Sequence, residues 1–240
     1  MSVKSKSKIL LKKTTALLFK LLIACLFITL LQVLFFKWID PFTSSIMIQR
    51  KIGLLFSGKK DKSIKYKWYD YDDISKNVAL AVVTEEDQNF PFHIGFDFEQ
   101  INKAIKDRQE GKRLRGASTI SQQVAKNLFL WEGKSFIRKG FEAYYTILIE
   151  FFWSKRRILE IYLNIAEMGK QIFGVGKASE IYFKKHPSEL TRSEAALLAA
   201  VLPNPKRYSV TNPSKYVRKR QEWILRQMKA LGGAAYLKDL

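Results

Sequence analysis

The hydrophobic pattern changes character twice along the chain, and the first change comes early. Leu21 to Phe36 is a run of sixteen residues without a charge, LLIACLFITLLQVLFF. Extended back to Thr14 it covers 23 residues interrupted only by Lys20, about 34 Å of helix at roughly 1.5 Å per residue. That length crosses a hydrocarbon core of about 30 Å, with Lys20 near the inner end reaching its amine to the interface. Lys4, Lys6, Lys8, Lys12 and Lys13 precede the run with no acid among them. This asymmetry predicts a cytoplasmic basic tail over 1–13, a transmembrane anchor over 14–36 and export of everything after Lys37. A cleavable signal peptide would need a shorter apolar region and an A-x-A-like site, and the run continues to Phe36 without one. Leu22-Ile23-Ala24-Cys25 has the form of a lipoprotein processing box, but few apolar residues precede it and eleven follow Cys25 before Lys37. An uncleaved anchor is the reading adopted; a buried core helix would leave the one-sided lysines unexplained.

Residues 37–66 read as a connector, with Pro41, Gly53, Gly58 and a charged stretch from Lys59 to Lys67. Beyond it apolar positions recur with helical spacing. Helices are expected over Ile74–Glu86, Ser118–Leu130, Arg138–Trp153, Lys155–Met168, Thr191–Leu202 and Ser214 to about Leu231. Thr191 with Glu194 forms a capping box, and Gly232-Gly233 ends the last helix. Alternating strand patterns are scarce and no internal repeat is visible, so residues 67–240 are expected to form one mainly α domain. The polar, basic stretch 97–117, pivoting on Gly111 and Gly116, reads equally as a mobile flap or as an ordinary solvated helix and loop.

Composition narrows the class. At 240 residues there is room for one anchor and one medium-sized domain. A hydrophobic share of 47%, with 17 Phe, 10 Tyr and 5 Trp, excludes a disordered chain. Forty-two Lys+Arg against 22 Asp+Glu gives +20, which points to an anionic partner: nucleic acid, acidic lipid headgroups or a phosphorylated substrate. Cys25 is the only cysteine, so neither an internal disulfide nor a thiolate metal site is available.

Glu85-Glu86-Asp87 ends an apolar helix and runs into Gln88-Asn89-Phe90-Pro91-Phe92-His93-Ile94-Gly95. Acids there face the negative end of the helix dipole. A carboxylate so placed beside water-excluding aromatics would have a raised pKa and could act as a general base. Spacing alone favours a solvated acidic turn with His93 as a packing residue. In Gly116 to Asn127, with Ser118 near the N-cap, positions 118, 122 and 126 share one face and 119, 123 and 127 lie beside them. Ser118, Thr119, Gln122, Gln123, Lys126 and Asn127 then make either the polar outer face of a surface helix or, as six hydrogen-bonding side chains with one charge favour, a stripe that starts at a helix N-terminus, where free N–H groups favour phosphate. Arg138, Lys139 and Glu142 open the next helix. Arg138 and Glu142, four apart, are either a surface pair or a phosphate clamp with a second carboxylate facing Glu86.

Taken in order, these segments resemble the peptidoglycan glycosyltransferases, family 51, over roughly residues 70–210. Glu86-Asp87-Gln88-Asn89-Phe90 with His93 and Gly95 matches the first motif. Gly116 through Asn127 matches the second, with Ser121 where threonine is more usual. Arg138-Lys139 with Glu142 looks like the third, Arg157 to Asn164 with Glu160 like the fourth, and Glu194 to Ala200 followed by Leu202-Pro203-Asn204-Pro205 like the fifth.

The resemblance implies a lysozyme-like helical head with a smaller, membrane-apposed jaw lobe behind the N-terminal transmembrane helix. It implies that Glu86 deprotonates the 4-hydroxyl of an acceptor N-acetylglucosamine, which attacks C1 of the donor sugar of lipid II with inversion and loss of undecaprenyl pyrophosphate. Lys126 and Arg138, with Lys139 and the polar stripe, would bind the pyrophosphate, and Glu142 would assist its departure. Asp87, Phe90, His93, Gly95, Gly116, Glu160 and Asn164 would support the site. No tightly bound cofactor is implied, though a divalent cation, Mg or Mn, has a place in the scheme. The implied partners are lipid II, the growing lipid-linked glycan, the bacterial inner membrane and other cell-wall synthesis or division proteins. The catalytic domain would be periplasmic, which excludes nucleic acid. No Lys-Thr-Gly accompanies Ser57-Gly58-Lys59-Lys60 or Ser75-Lys76-Asn77, so no transpeptidase is expected. Two alternatives stay open at this level: a lytic transglycosylase or muramidase, which shares a single catalytic Glu, and a basic membrane-tethered binding module.

Overall fold

A computed structural model of the chain describes residues 3–58, 63–111, 116 and 118–240. The side chains of the expected basic tail before Lys12, the Lys59-Lys60 pair, and residues 112–115 and 117 of the expected flap lie outside the described residues.

The chain divides into two compact units that meet between Ile39 and Asp40. The first is a single helix, α1, over Val3–Trp38. Its Lys12–Trp38 stretch contains an 18-residue window with a mean hydropathy of 2.5 and is long and apolar enough to cross a membrane. Two of its hydroxyls bond within the helix. Thr15 Oγ1 donates to the Lys12 carbonyl at 3.0 Å and Thr29 Oγ1 to that of Leu26 at 2.9 Å, bonds that would satisfy these groups inside a membrane.

The second unit, Asp40–Leu240, is mainly helical, as the periodicity predicts. The expected connector holds a helix, α2 (Ser45–Leu55), capped by Ser44 Oγ on the Met47 N–H. There follow α3 (Lys76–Glu86), α4 (Phe98–Gln109), α5 (Ile120–Phe129), α6 (Phe136–Phe152) and α7 (Lys155–Ile165). A small antiparallel hairpin, β1 (Glu167–Gly169) and β2 (Ile172–Phe173), pairs Glu167 with Phe173. Then come α8 (Val175–Tyr182), α9 (Arg192–Ala199), α10 (Lys215–Ala230) and a closing 3₁₀ turn, Gly233–Leu237. Most of these helices begin where a short polar side chain can accept from the first turn. Ser75, Asp97, Thr119, Ser135, Ser154, Thr191 and Ser214 all do so.

Helix α3 is enclosed. Val78 through Thr84 are all buried, the pattern of a helix with neighbours on every side, and α7, α9, α10 and the closing turn surround it. Helices α5, α6 and α7 pack on one another, so α7 is shared between the surroundings of α3 and those of α5. The end of α7 is fixed by Asn164, which is fully buried. Its amide accepts from the Tyr69 N–H at 2.9 Å and donates to the Tyr69 carbonyl at 2.8 Å, pairing as a strand would. One turn earlier Glu160 accepts from the Tyr71 N–H at 2.8 Å and from Arg157 at 2.6 Å. The two residues thus tie residues 69–71 to α7.

Candidate active site

Three consecutive acids close α3, and each has a different partner. Glu85 accepts from Arg220 Nε on α10 at 2.9 and 2.7 Å. Glu86 accepts from Gln123 Nε2 on α5 at 2.6 Å. Asp87, the C-cap of α3, accepts from the Ile120 N–H at 2.9 Å and from His93 Nε2 at 3.0 Å. An acid that is poorly placed at the end of α3 is therefore well placed at the start of α5, where its charge meets the positive end of that helix. Of the three, Glu86 is the one bonded among the described residues by a neutral amide alone. Burial pushes its carboxyl above the ordinary 4.5, opposed by the Gln123 bond and by Lys126 and Arg220, and aided by the charge of Asp87.

The turn between α3 and α4 carries the supporting residues. Phe90 is fully buried, with the His93 ring edge-on at 6.2 Å and Lys155 Nζ over its face at 4.6 Å. Gly95 has φ +76°, and a Cβ there would lie 2.8 Å from Thr146 Cγ2 and 3.1 Å from Glu150 Cγ. Gly95→Ala should therefore cost about 1–3 kcal/mol from backbone strain alone, and more from the clash. Urea denaturation measures this, and a parental midpoint would show that the turn relaxes freely.

Helix α5 starts one residue later than Ser118 as cap implies, because Thr119 takes that position. Its hydroxyl accepts from the Gln122 N–H at 3.2 Å, and Gln122 Oε1 accepts from the Thr119 N–H at 3.1 Å. The same hydroxyl donates to the Gly95 carbonyl at 2.6 Å. Ser121 is fully buried and donates to Glu150. The polar stripe thus divides. Thr119 and Gln122 build the helix start, while Gln123, Lys126 and Asn127 are partly open, as is Ser118 before them. Gly116 is exposed, with nothing near the position of a Cβ.

On α6, Glu142 is only 3% exposed. Arg138 Nη1 donates to it at 2.5 Å and Lys139 also bonds it, while Arg138 Nε donates to the Gly133 carbonyl at 2.8 Å. This is not the solvated pair that an i, i+4 spacing also allows: a buried carboxylate is neutralised here by two cations. The Lys126 amine makes no hydrogen bond or ion pair among the described residues. Burial lowers the pKa of its amine, with Glu142 and Glu86 raising it and Arg138 and Lys139 lowering it further. One amine therefore senses the raised acid on α3 and the buried cluster on α6 together. Among the described residues no group of three or more His, Cys, Asp or Glu could hold a metal ion. Both oxygens of Glu142 accept from cations and those of Asp87 from His93 and Ile120. The Glu142 and Asp87 carboxylates are thus engaged by protein donors, and the cations beside Glu142 are the side chains of Arg138 and Lys139.

Four residues outside the expected set complete the site. Tyr162, fully buried on α7, donates to Gln123 Oε1 at 3.2 Å. Glu150 holds Ser121 and accepts from Lys155 at 2.8 Å. Arg220 holds Glu85, and Tyr236 Oη donates to the Gln88 carbonyl at 2.7 Å. Tyr162 and Glu150 have the spacing of core residues, and Arg220 sits in a basic helix beyond the last motif.

One helical domain thus carries a raised carboxyl on α3, an amine without a bonded partner on α5, and a buried carboxylate held by two cations on α6. A family model described as Transglycosylase matches residues 54–229. The chain is 50% identical to the biosynthetic peptidoglycan transglycosylase of Xylella fastidiosa (strain 9a5c), over 92% of this chain and 90% of the relative. It is 55% identical to the protein of the same name from Cronobacter sakazakii, over 82% and 81%. For that of Pasteurella multocida the identity is 52%, over 84% and 82%. The chain belongs to the peptidoglycan transglycosylase family and is a peptidoglycan glycosyltransferase, and its apolar N-terminal helix fits a membrane-anchored member.

Proposed function

We propose that the protein polymerises lipid II into linear glycan. Glu86 takes the proton of the acceptor 4-hydroxyl as that oxygen attacks the donor C1 with inversion. The observation that carries this reading is Lys126, an unpaired, partly buried amine placed electrostatically between Glu86 and the Arg138–Lys139–Glu142 cluster. A pyrophosphate there would gain the charge-assisted bonds the amine lacks. Arg138 would share the load, and Glu142 would keep Arg138 aimed while the leaving group departs. Ser118 and Asn127 border the same place. The +20 charge suits a lipid-pyrophosphate at an anionic membrane.

Apolar side chains lie exposed beside the clamp. Phe136 is 96% and Ile137 72% exposed, and Ile48, Ile52 and Phe56 of α2 and its end are also open. A surface of this kind suits a jaw set against lipid, with the polyprenyl tail alongside. No transpeptidase step belongs to the reading. Purified protein incubated with labelled lipid II should yield long, lysozyme-sensitive glycan and release undecaprenyl pyrophosphate. Cleavage of finished glycan without polymer would favour a lytic enzyme instead. The domain would lie outside the bacterial inner membrane with the N-terminus inside. A reporter fused after Leu240 should be active only in a form that requires export, and cytoplasmic reporter activity would overturn the orientation.

A further inference from the structure

Glu86 does not meet its amide partner alone. Gln123 Nε2 donates to Glu86 at 2.6 Å while Gln123 Oε1 accepts from Tyr162 Oη at 3.2 Å. The two ends of an amide have nearly the same shape, so its orientation is set by its partners. Turned over, the amide would set its carbonyl oxygen against the carboxylate, two acceptors facing each other. Tyr162 opposes that turn. It lies 1% exposed on α7, the helix shared by the surroundings of α3 and α5. Burial and the charges of Glu86, Glu85 and Asp87 hold its phenol well above 10, so it stays a donor across the working range.

We propose that Tyr162 is a positioning residue for the reaction: through Gln123 it locks the amide's donor face onto Glu86 and so holds that carboxylate ionised and aimed. The inference rests on Glu86 as the base and deepens that reading. A protonated Glu86 could instead donate to the turned-over amide, so removing the phenol oxygen favours the protonated state. That lets the acid side of the activity profile report on the relay.

The test is the pH dependence of lipid II polymerisation by the full chain in detergent, for Tyr162→Phe, Gln123→Met, the double variant and Glu86→Gln. Tyr162→Phe should move the acidic limb of kcat/KM upward by about 0.5–1 unit, the range one lost hydrogen bond can shift a carboxyl. KM at high pH should change less than about twofold, since uniform binding is untouched. Gln123→Met should move the limb at least as far. The double variant should match Gln123→Met and not the sum, because the two residues act in series. A merely structural tyrosine would lower the melting temperature and leave the limb in place, and that result overturns the proposal. If Tyr162→Phe does not fold, an unmoved limb in Gln123→Met overturns it equally. Glu86→Gln separates the two readings. Parental activity there removes the base and this relay together, whereas an inactive Glu86→Gln with unmoved limbs in the other variants removes the relay alone.

Discussion

Glu86→Gln should slow glycan polymerisation by a factor of about 10²–10⁴, the usual range for a lost general base, with fold and lipid II binding intact. Glutamine keeps the shape and can still accept from Gln123. The neighbouring acids cannot take over: Glu85 is held by Arg220 and Asp87 by His93 and the start of α5. Because burial raises the Glu86 carboxyl, the acidic limb of the parent's activity should lie above the 4.5 of an ordinary glutamate. The sign for stability follows from the same shift. A carboxyl raised in the folded state is ionised at a cost to folding that grows as pH rises from the unfolded value through the folded one. The Glu86→Gln melting temperature should therefore gain on the parent's as pH increases over that window, and match it more nearly in acid. Rate assays with single-turnover binding controls decide the first point and thermal melts the second. A near-parental rate with binding intact would falsify the assignment of the base.

Lys126→Ala should lower kcat/KM by roughly 10- to 150-fold, the equivalent of one charge-assisted bond of about 1.5–3 kcal/mol, at little or no cost in stability. The amine has no bond to lose among the described residues, and its burial already disfavours its charge. Removing it relieves that strain. Arg138→Ala is a less clean probe. It strips one of two cations from the buried Glu142, and a broken buried pair commonly costs about 3–5 kcal/mol, so its loss of activity would mix clamp and fold. Measuring melting and turnover together separates the cases. A Lys126→Ala enzyme at the parental rate would mean that the pyrophosphate lies elsewhere.

Helical periodicity and serine or threonine caps made α3, α5, α6, α7, α9 and α10 readable from the chain, each within a few residues. Helix α2 escaped notice because glycine and charge around it resemble a linker, while its signal was the single cap Ser44. The expected end of α7 at Met168 overran into β1, where Asn164 and Gly174 stop the helix by bonds and contacts to distant residues. Gly174 has φ +77°, and a Cβ there would lie 2.4 Å from the Asn164 carbonyl oxygen. The candidate site was legible in type but not in division of labour. Thr119, Gln122, Gln123 and Lys126 read as one polar stripe, yet only tertiary contacts show that the first two build a cap while Gln123 bonds Glu86. Tyr162 lies within the fourth motif, but its contact was illegible for the opposite reason: its burial gives it the pattern of core, and its hydroxyl meets Gln123 only after α7 packs on α5.

The motifs end near residue 210, which makes that a tempting place to trim the protein for expression. The chain beyond it grips the peptide on both flanks of the proposed base. Arg220 clamps Glu85 on one side, and Tyr236 bonds the carbonyl of Gln88 on the other. A fragment cut after motif five would retain every signature residue and still expose one face of α3 to water, with Glu85 released to compete at the reacting centre. A fragment that keeps both contacts must therefore reach at least to Tyr236.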